Sequence, residues 1–206
     1  MVISFINGAS WSTLLESKIQ IFYVTLTLKK IKNFKIVNDM VAKVSIIMGS
    51  TSDFPVMEQA AQVLNELQIP FEINALSAHR TPEEVEKFAS GAYQKGIRVI
   101  IAGAGMAAHL PGVIASMTSI PVIGVPIKAS LDGLDALLAI VQMPPGIPVA
   151  TVAINGARNA GILAAQMLAL ADDDLQKRLL AFKESLKDKV VKANKDLKDI
   201  KFDFRV

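Results

Sequence analysis

Short apolar runs alternate with longer amphipathic stretches over most of this chain. Residues 44–48 form an apolar run that stops at Gly49, after which a helical period takes over across residues 53–67. Pro70 breaks that helix, and residues 71–76 read as a second strand. Thr81 is a good helix N-cap, Pro82 suits a first helical position, and Glu84 lies three residues after Thr81. Together they predict a reciprocal capping box at the start of a helix that Gly96 ends. Residues 99–102 are a third strand, a further helix begins near His109, and residues 122–125 are a fourth strand. A helix over 134–142 leads into Pro144-Pro145-Gly146, followed by a strand at 149–154 and an alanine-rich helix over 157–171.

Strands this short and apolar, each followed by a helix of about 10 to 15 residues, predict a parallel sheet covered on both faces. The fold class is α/β, a three-layer doubly wound sheet. After Asp172-Asp173-Asp174 the chain becomes highly charged. Leu175, Leu179, Phe182, Leu186, Val190 and Leu197 recur there at helical spacing, so a C-terminal helix is expected, with the acidic triplet at its electropositive end. Its apolar stripe faces either its own domain or a neighbouring subunit.

Residues 1–39 read differently. They hold the only tryptophan, Trp11, with a lysine cluster and neither arginine nor proline. The apolar run at 19–28 is far shorter than the roughly 20 residues of a membrane span. It lacks both a small-residue cleavage site and the arginines of an organelle leader. This stretch is read as an extension outside the core. A targeting signal and an added structural element are the alternatives. Residues 40–206 form one domain that includes the C-terminal helix.

Composition narrows the chemistry. At 206 residues the chain suits one well-buried domain. It has no cysteine, which removes disulfides and thiolate chemistry and fits a reducing, cytoplasmic setting. The formal charge of +3 belongs to the first 39 residues, where five lysines face two acids. The remainder is balanced, so no broad basic face for nucleic acid is expected, and no membrane association.

Three loops follow the first three strands and share one edge of a parallel sheet, where such folds bind ligands. In Gly49-Ser50-Thr51-Ser52-Asp53, hydroxyls and backbone N–H groups at a helix start suit an anion, while Asp53 suits sugar hydroxyls. Ordinary capping by Ser52 or Asp53 is the competing account. In Ser77-Ala78-His79-Arg80, the Arg80 fork suits a phosphate or carboxylate, and small Ser77 and Ala78 give a ligand access to His79. The third loop is Gly103-Ala104-Gly105-Met106-Ala107-Ala108-His109. It satisfies the G-x-G-x-x-[GA] dinucleotide pattern but follows the third strand and lacks the downstream acid, so its glycines are read as close-approach positions. His79 and His109 are the whole imidazole inventory, and imidazole exchanges protons near neutral pH. Two distant histidines without cysteine make a poor metal set.

The segments 48–53, 77–82, 102–112 and 140–149 together resemble class I 5-(carboxyamino)imidazole ribonucleotide mutases, the phosphoribosylaminoimidazole carboxylase catalytic-subunit family. The likeness runs from Lys43 to the middle of the last helix. It implies a flavodoxin-like catalytic domain that moves a carboxylate from the exocyclic nitrogen of an aminoimidazole ribonucleotide to ring carbon C4, with no cofactor and no metal. It further implies His79 as acid/base and Ser50 and Asp53 against the substrate. Ser52, Ser77 and Arg80 would surround the phosphate, with Ala78 also against the substrate. His109 and the backbone of Ala102, Gly103, Ala104 and Gly105 would enclose the carboxylate, with Ala102, Ala104, Ala107, Ala108 and Leu110 walling a small CO2 chamber. A homo-octamer is implied as well. Met106 replaces a glycine common in relatives, and the stretch 128–133 is shorter than usual. Direct carboxylation with CO2 and a non-catalytic nucleotide-binding module are the alternatives.

Overall fold

The structure, a computed structural model, describes residues 41–204, and the expectations for residues 1–39 lie outside the described residues. Five strands form one parallel sheet in the order β2-β1-β3-β4-β5. They are β1 (Val44–Met48), β2 (Phe71–Ala75), β3 (Val99–Gly105), β4 (Val122–Ile127) and β5 (Ala150–Thr151). Six helices cover it: α1 (Phe54–Glu66), α2 (Pro82–Gly91), α3 (Leu110–Met117), α4 (Leu134–Val141), α5 (Ala157–Ala169) and α6 (Asp173–Lys198). This is the flavodoxin-like arrangement, in which the strand order reverses between β1 and β3.

Alternation along the central strands builds the two apolar layers, because successive side chains point to opposite faces. Val44, Ile46, Met48, Val99 and Ile101 meet α1, α5 and the first turns of α6. Ile47, Ile100, Ala102 and Ala104 meet α2, α3 and α4. The one polar residue in the buried strand, Ser45, is fully enclosed and donates to the Glu72 carboxylate of β2 at 2.9 Å. Helices α1 and α5 approach closely at Gly161, where a Cβ would lie 3.0 Å from the Ala60 carbonyl oxygen.

Beyond shifts of one or two residues at element ends, the elements differ from expectation in four places. First, β3 continues through Gly103, Ala104 and Gly105, which pair with Val125, Pro126 and Ile127. The glycines survive in the strand because the sheet is crowded there. A Cβ on Gly103 would lie 2.4 Å from Met57 Sδ, and one on Gly105 would lie 3.1 Å from the Ile127 carbonyl oxygen.

Second, β5 contains two residues where six were expected. The Gly124 and Pro126 carbonyls accept from Val152 and Asn155, so this side of β4 faces β5, and Pro126 has no N–H to continue the ladder.

Third, the capping box before α2 does not form, since Thr81 makes no side-chain cap. Its hydroxyl is engaged with Ser77 instead. Fourth, α2 gives way to turns after Gly91, and Gly96 (φ +96°) ends those turns rather than the helix.

The C-terminal stripe is divided. Leu175, Leu179 and Phe182 are buried against the domain, whereas Leu186 and Val190 face solvent.

Candidate active site

The residues that close β1, β2, β3 and β4 converge on a cavity of about 510 Å³ at the carboxyl edge of the sheet. It sits at the switch point between β1 and β3, where neighbouring loops turn to opposite faces and leave a crevice.

The loop after β1 is a single 3-10 turn, Thr51–Asp53, with a reciprocal cap. Ser50 Oγ accepts from the Ser52 N–H at 3.3 Å, and Asp53 Oδ2 accepts from the Ser50 N–H at 3.2 Å. Capping therefore occurs, but Ser50 is the capping residue. The Ser52 hydroxyl donates to Ser50 Oγ at 2.9 Å, which places both hydroxyls at the cavity wall. Burial pushes the Asp53 carboxyl above its ordinary range. The Ser50 N–H, the Ser52 hydroxyl and the Arg80 charge pull the other way without cancelling that shift. Its ionisation thus costs folding stability above about pH 4 and nothing below the ordinary carboxyl range. We expect ligand-free Asp53→Asn to match or exceed the parent protein in thermal stability at pH 7, with the advantage fading towards pH 3.5. A marked loss at pH 7 would contradict this balance.

The loop after β2 is held by Thr81. Its Oγ1 accepts from the Ser77 N–H at 3.0 Å and donates to the Ser77 carbonyl at 3.2 Å. The hydroxyl that was expected to cap α2 instead clamps the turn carrying Ala78, His79 and Arg80. Ser77 Oγ accepts from both the N–H and Nε of Arg80, at 3.2 and 3.3 Å. Arg80 Nη2 donates to the Gly49 carbonyl at 2.8 Å, tying the second loop to the first. A guanidinium carries five N–H donors, and these two side-chain contacts engage two of them.

After β3 the chain turns through Met106, whose φ of +53° costs a non-glycine residue about 1–2 kcal/mol. The Ala108 and His109 N–H groups close the turn on the Met106 and Ala107 carbonyls, at 2.9 and 2.7 Å. His109 then opens α3, but its side chain makes no cap. The ring reaches across to His79 instead. His79 Nε2 and His109 Nδ1 are 2.9 Å apart, with the rings edge-on at 79° and their centroids 5.0 Å apart. One proton joins these nitrogens, so one imidazole donates while the other accepts.

Ser50, Ser52, Asp53, Ser77, Ala78, His79, Arg80, Gly105, His109 and Leu110 all line the cavity. Ala108, expected in the chamber wall, is buried behind it, and Ala102 and Gly103, which were expected beside them, do not line it. They lie within the extended β3, Ala102 fully buried in one layer and Gly103 facing Met57 in the other. Gly49, Ala104, Met106, Ala107 and Ala129 complete the wall. Ala129 follows β4, a strand for which sequence reasoning proposed no site residue. Its signal was Gly105, whose Cβ would lie 3.2 Å from Ala129 Cβ. No group of three or more His, Asp or Glu side chains that could hold a metal occurs among the described residues.

Fold and site together define a doubly wound domain whose sheet edge holds a cavity lined by Arg80, serine hydroxyls and a pair of hydrogen-bonded imidazoles. Comparison with known proteins makes the family specific. The AIR carboxylase family model matches residues 43–189. A Thermotoga maritima protein named N5-carboxyaminoimidazole ribonucleotide mutase is 55% identical over 159 residues, covering 77% of this chain and 93% of that protein. A chloroplastic phosphoribosylaminoimidazole carboxylase from Vigna aconitifolia is 56% identical over 147 residues, which cover 71% of this chain and 26% of that longer protein. The crystal structure of Treponema denticola PurE superposes with a TM-score of 0.68 at 29% identity, covering 75% of this chain and 98% of that one. The chain belongs to the AIR carboxylase family.

Proposed function

We propose that this chain catalyses the mutase step of de novo purine biosynthesis. The step converts 5-(carboxyamino)imidazole ribonucleotide to 4-carboxy-5-aminoimidazole ribonucleotide. The N–C bond of the carbamate breaks, its electron pair stays on nitrogen, and nitrogen takes a proton as CO2 departs. Ring carbon C4 then attacks the same CO2, and the proton on C4 leaves. No net proton is consumed, so a single acid/base group can serve both halves. The observation that carries this reading is the contact between His79 and His109 beside the Arg80–Ser77 cradle.

In this reading His79 delivers and recovers the proton, and His109 holds that ring through the shared hydrogen bond. Arg80, Ser77 and Ser52 bind the phosphate with charge-assisted and hydroxyl donors, and Ser50 and Asp53 face the ribose. Ala104, Ala107, Leu110 and Ala129 wall the space that holds CO2. The assembly is a homo-octamer in the cytoplasm. The exposed stripe Leu134, Leu138 and Val141 on α4 supplies apolar surface for subunit contact.

The test supplies purified protein with the carbamate substrate, and separately with 5-aminoimidazole ribonucleotide plus bicarbonate. Efficient turnover of the carbamate supports the mutase. Turnover confined to the second mixture would make the chain a direct carboxylase, the activity named for the plant relative. Nucleotide binding without turnover in either would leave a binding module. Arg80→Ala should raise the Michaelis constant about 10- to 100-fold, the loss of a charged hydrogen-bonding group, with a smaller effect on kcat. An unchanged Michaelis constant would remove Arg80 from the phosphate site.

A further inference from the structure

We infer that Met106 adds to the retention of CO2 in the site between the two halves of the reaction, by laying its thioether side chain over the chamber as an apolar cover. The inference rests on the mutase reading above.

Three observations meet at this residue. Met106 lines the same cavity as His79 and His109. It is 61% exposed in the unliganded protein, so its side chain contributes little to the core. Its backbone occupies the left-handed region at φ +53°. A glycine would adopt that conformation without strain, and burial does not offset the strain here. Strained backbone positions cluster at active sites and ligand clamps.

The surroundings explain what the side chain does. The other apolar wall residues are Ala78, Ala104, Ala107, Ala129 and Leu110. Alanine cannot reach across an opening, and Leu110 is already buried. Methionine is unbranched, has three rotatable side-chain bonds and is apolar along its length. It is therefore the wall residue with the reach and adaptability to fold over a bound heterocycle. CO2 is small and uncharged, so the cradle that anchors the phosphate has no hold on it. Only steric and apolar enclosure keeps it near C4 until the new bond forms.

The experiment gives full-length protein the substrate labelled with carbon-13 in its carbamate, in buffer containing unlabelled bicarbonate. It measures turnover and the label retained in the C-carboxylated product. The parent protein should retain most of the label. Met106→Gly and Met106→Ala should still form product but lose label to solvent about tenfold more often, the change that a barrier to escape lowered by 1.36 kcal/mol gives. Met106→Leu should restore retention. Equal retention in the parent, the alanine variant and the glycine variant would overturn the role of Met106 while leaving the mutase reading intact. Absence of product from the parent protein would instead overturn the mutase reading, and this inference with it.

Discussion

Replacing His79 with asparagine should reduce turnover by about 10²- to 10⁴-fold, the range general acid/base groups contribute. Nucleotide affinity should stay close to that of the parent. Asparagine retains a planar polar group that can face His109 but cannot carry a proton from nitrogen to carbon. The contacts that hold Ser77 and Arg80, the proposed phosphate site, do not involve the imidazole. Ser77 Oγ is held by the Arg80 backbone and Nε, and Thr81 secures the turn from the far side. The effect should therefore appear in kcat, with calorimetric binding of the product nucleotide nearly unchanged. Near-parental turnover would mean that the proton travels by another group. A collapse of affinity along with turnover would mean that His79 holds the ligand rather than converting it.

The second large effect is on stability. Phe182→Ala should cost about 3–5 kcal/mol, the usual penalty for emptying a buried aromatic site. Phe182 is 6% exposed, packs with Leu175 and Leu179 against the layer of α1 and α5, and has the Arg158 guanidinium 5.6 Å over its ring. For a domain of this size each kcal/mol moves the melting temperature by about 2–4 °C, so a fall on the order of 10 °C is expected by calorimetry. Val190→Ala, eight residues further along the same helix, should change stability by less than about 0.5 kcal/mol, because Val190 is 62% exposed. A comparable loss at Val190 would show that the outer half of α6 is also covered in solution, by a neighbouring subunit. The pair thus separates the two accounts of the stripe that the sequence left open.

Most of the architecture was legible from local pattern. The first four strands and all six helices appear where short apolar runs and helical periods predict them, because those periodicities record which face is buried. The errors fall where a distant residue decides. Thr81 carries every mark of an N-cap, but Ser77, four residues earlier, takes its hydroxyl. Gly103 and Gly105 look like loop residues, yet crowding from Met57 and Ile127 makes glycine the residue that fits inside the strand. The fifth strand is shorter than its own pattern predicts because the missing N–H belongs to Pro126, on a different strand. At the site, the chemistry-bearing residues were readable as types in small-residue loops. Their contact was not, because 30 residues separate His79 from His109. Ala129 was missed because an alanine carries no chemical signal of its own.

The short fifth strand has a consequence for how the protein behaves when crowded. A free sheet edge invites another chain to add a strand, and natural sheets blunt that risk with short, proline-bearing or charged borders. Here, among the described residues, one border offers only Ala150–Thr151, preceded closely by Pro148 and paired with Ile123 and Gly124. The opposite border, β2, carries the Glu72 carboxylate, fastened by Ser45 and Asn74. Neither side presents a long, uncharged template, so the sheet resists fibrillar growth even while the apolar helix surfaces remain available for ordered association.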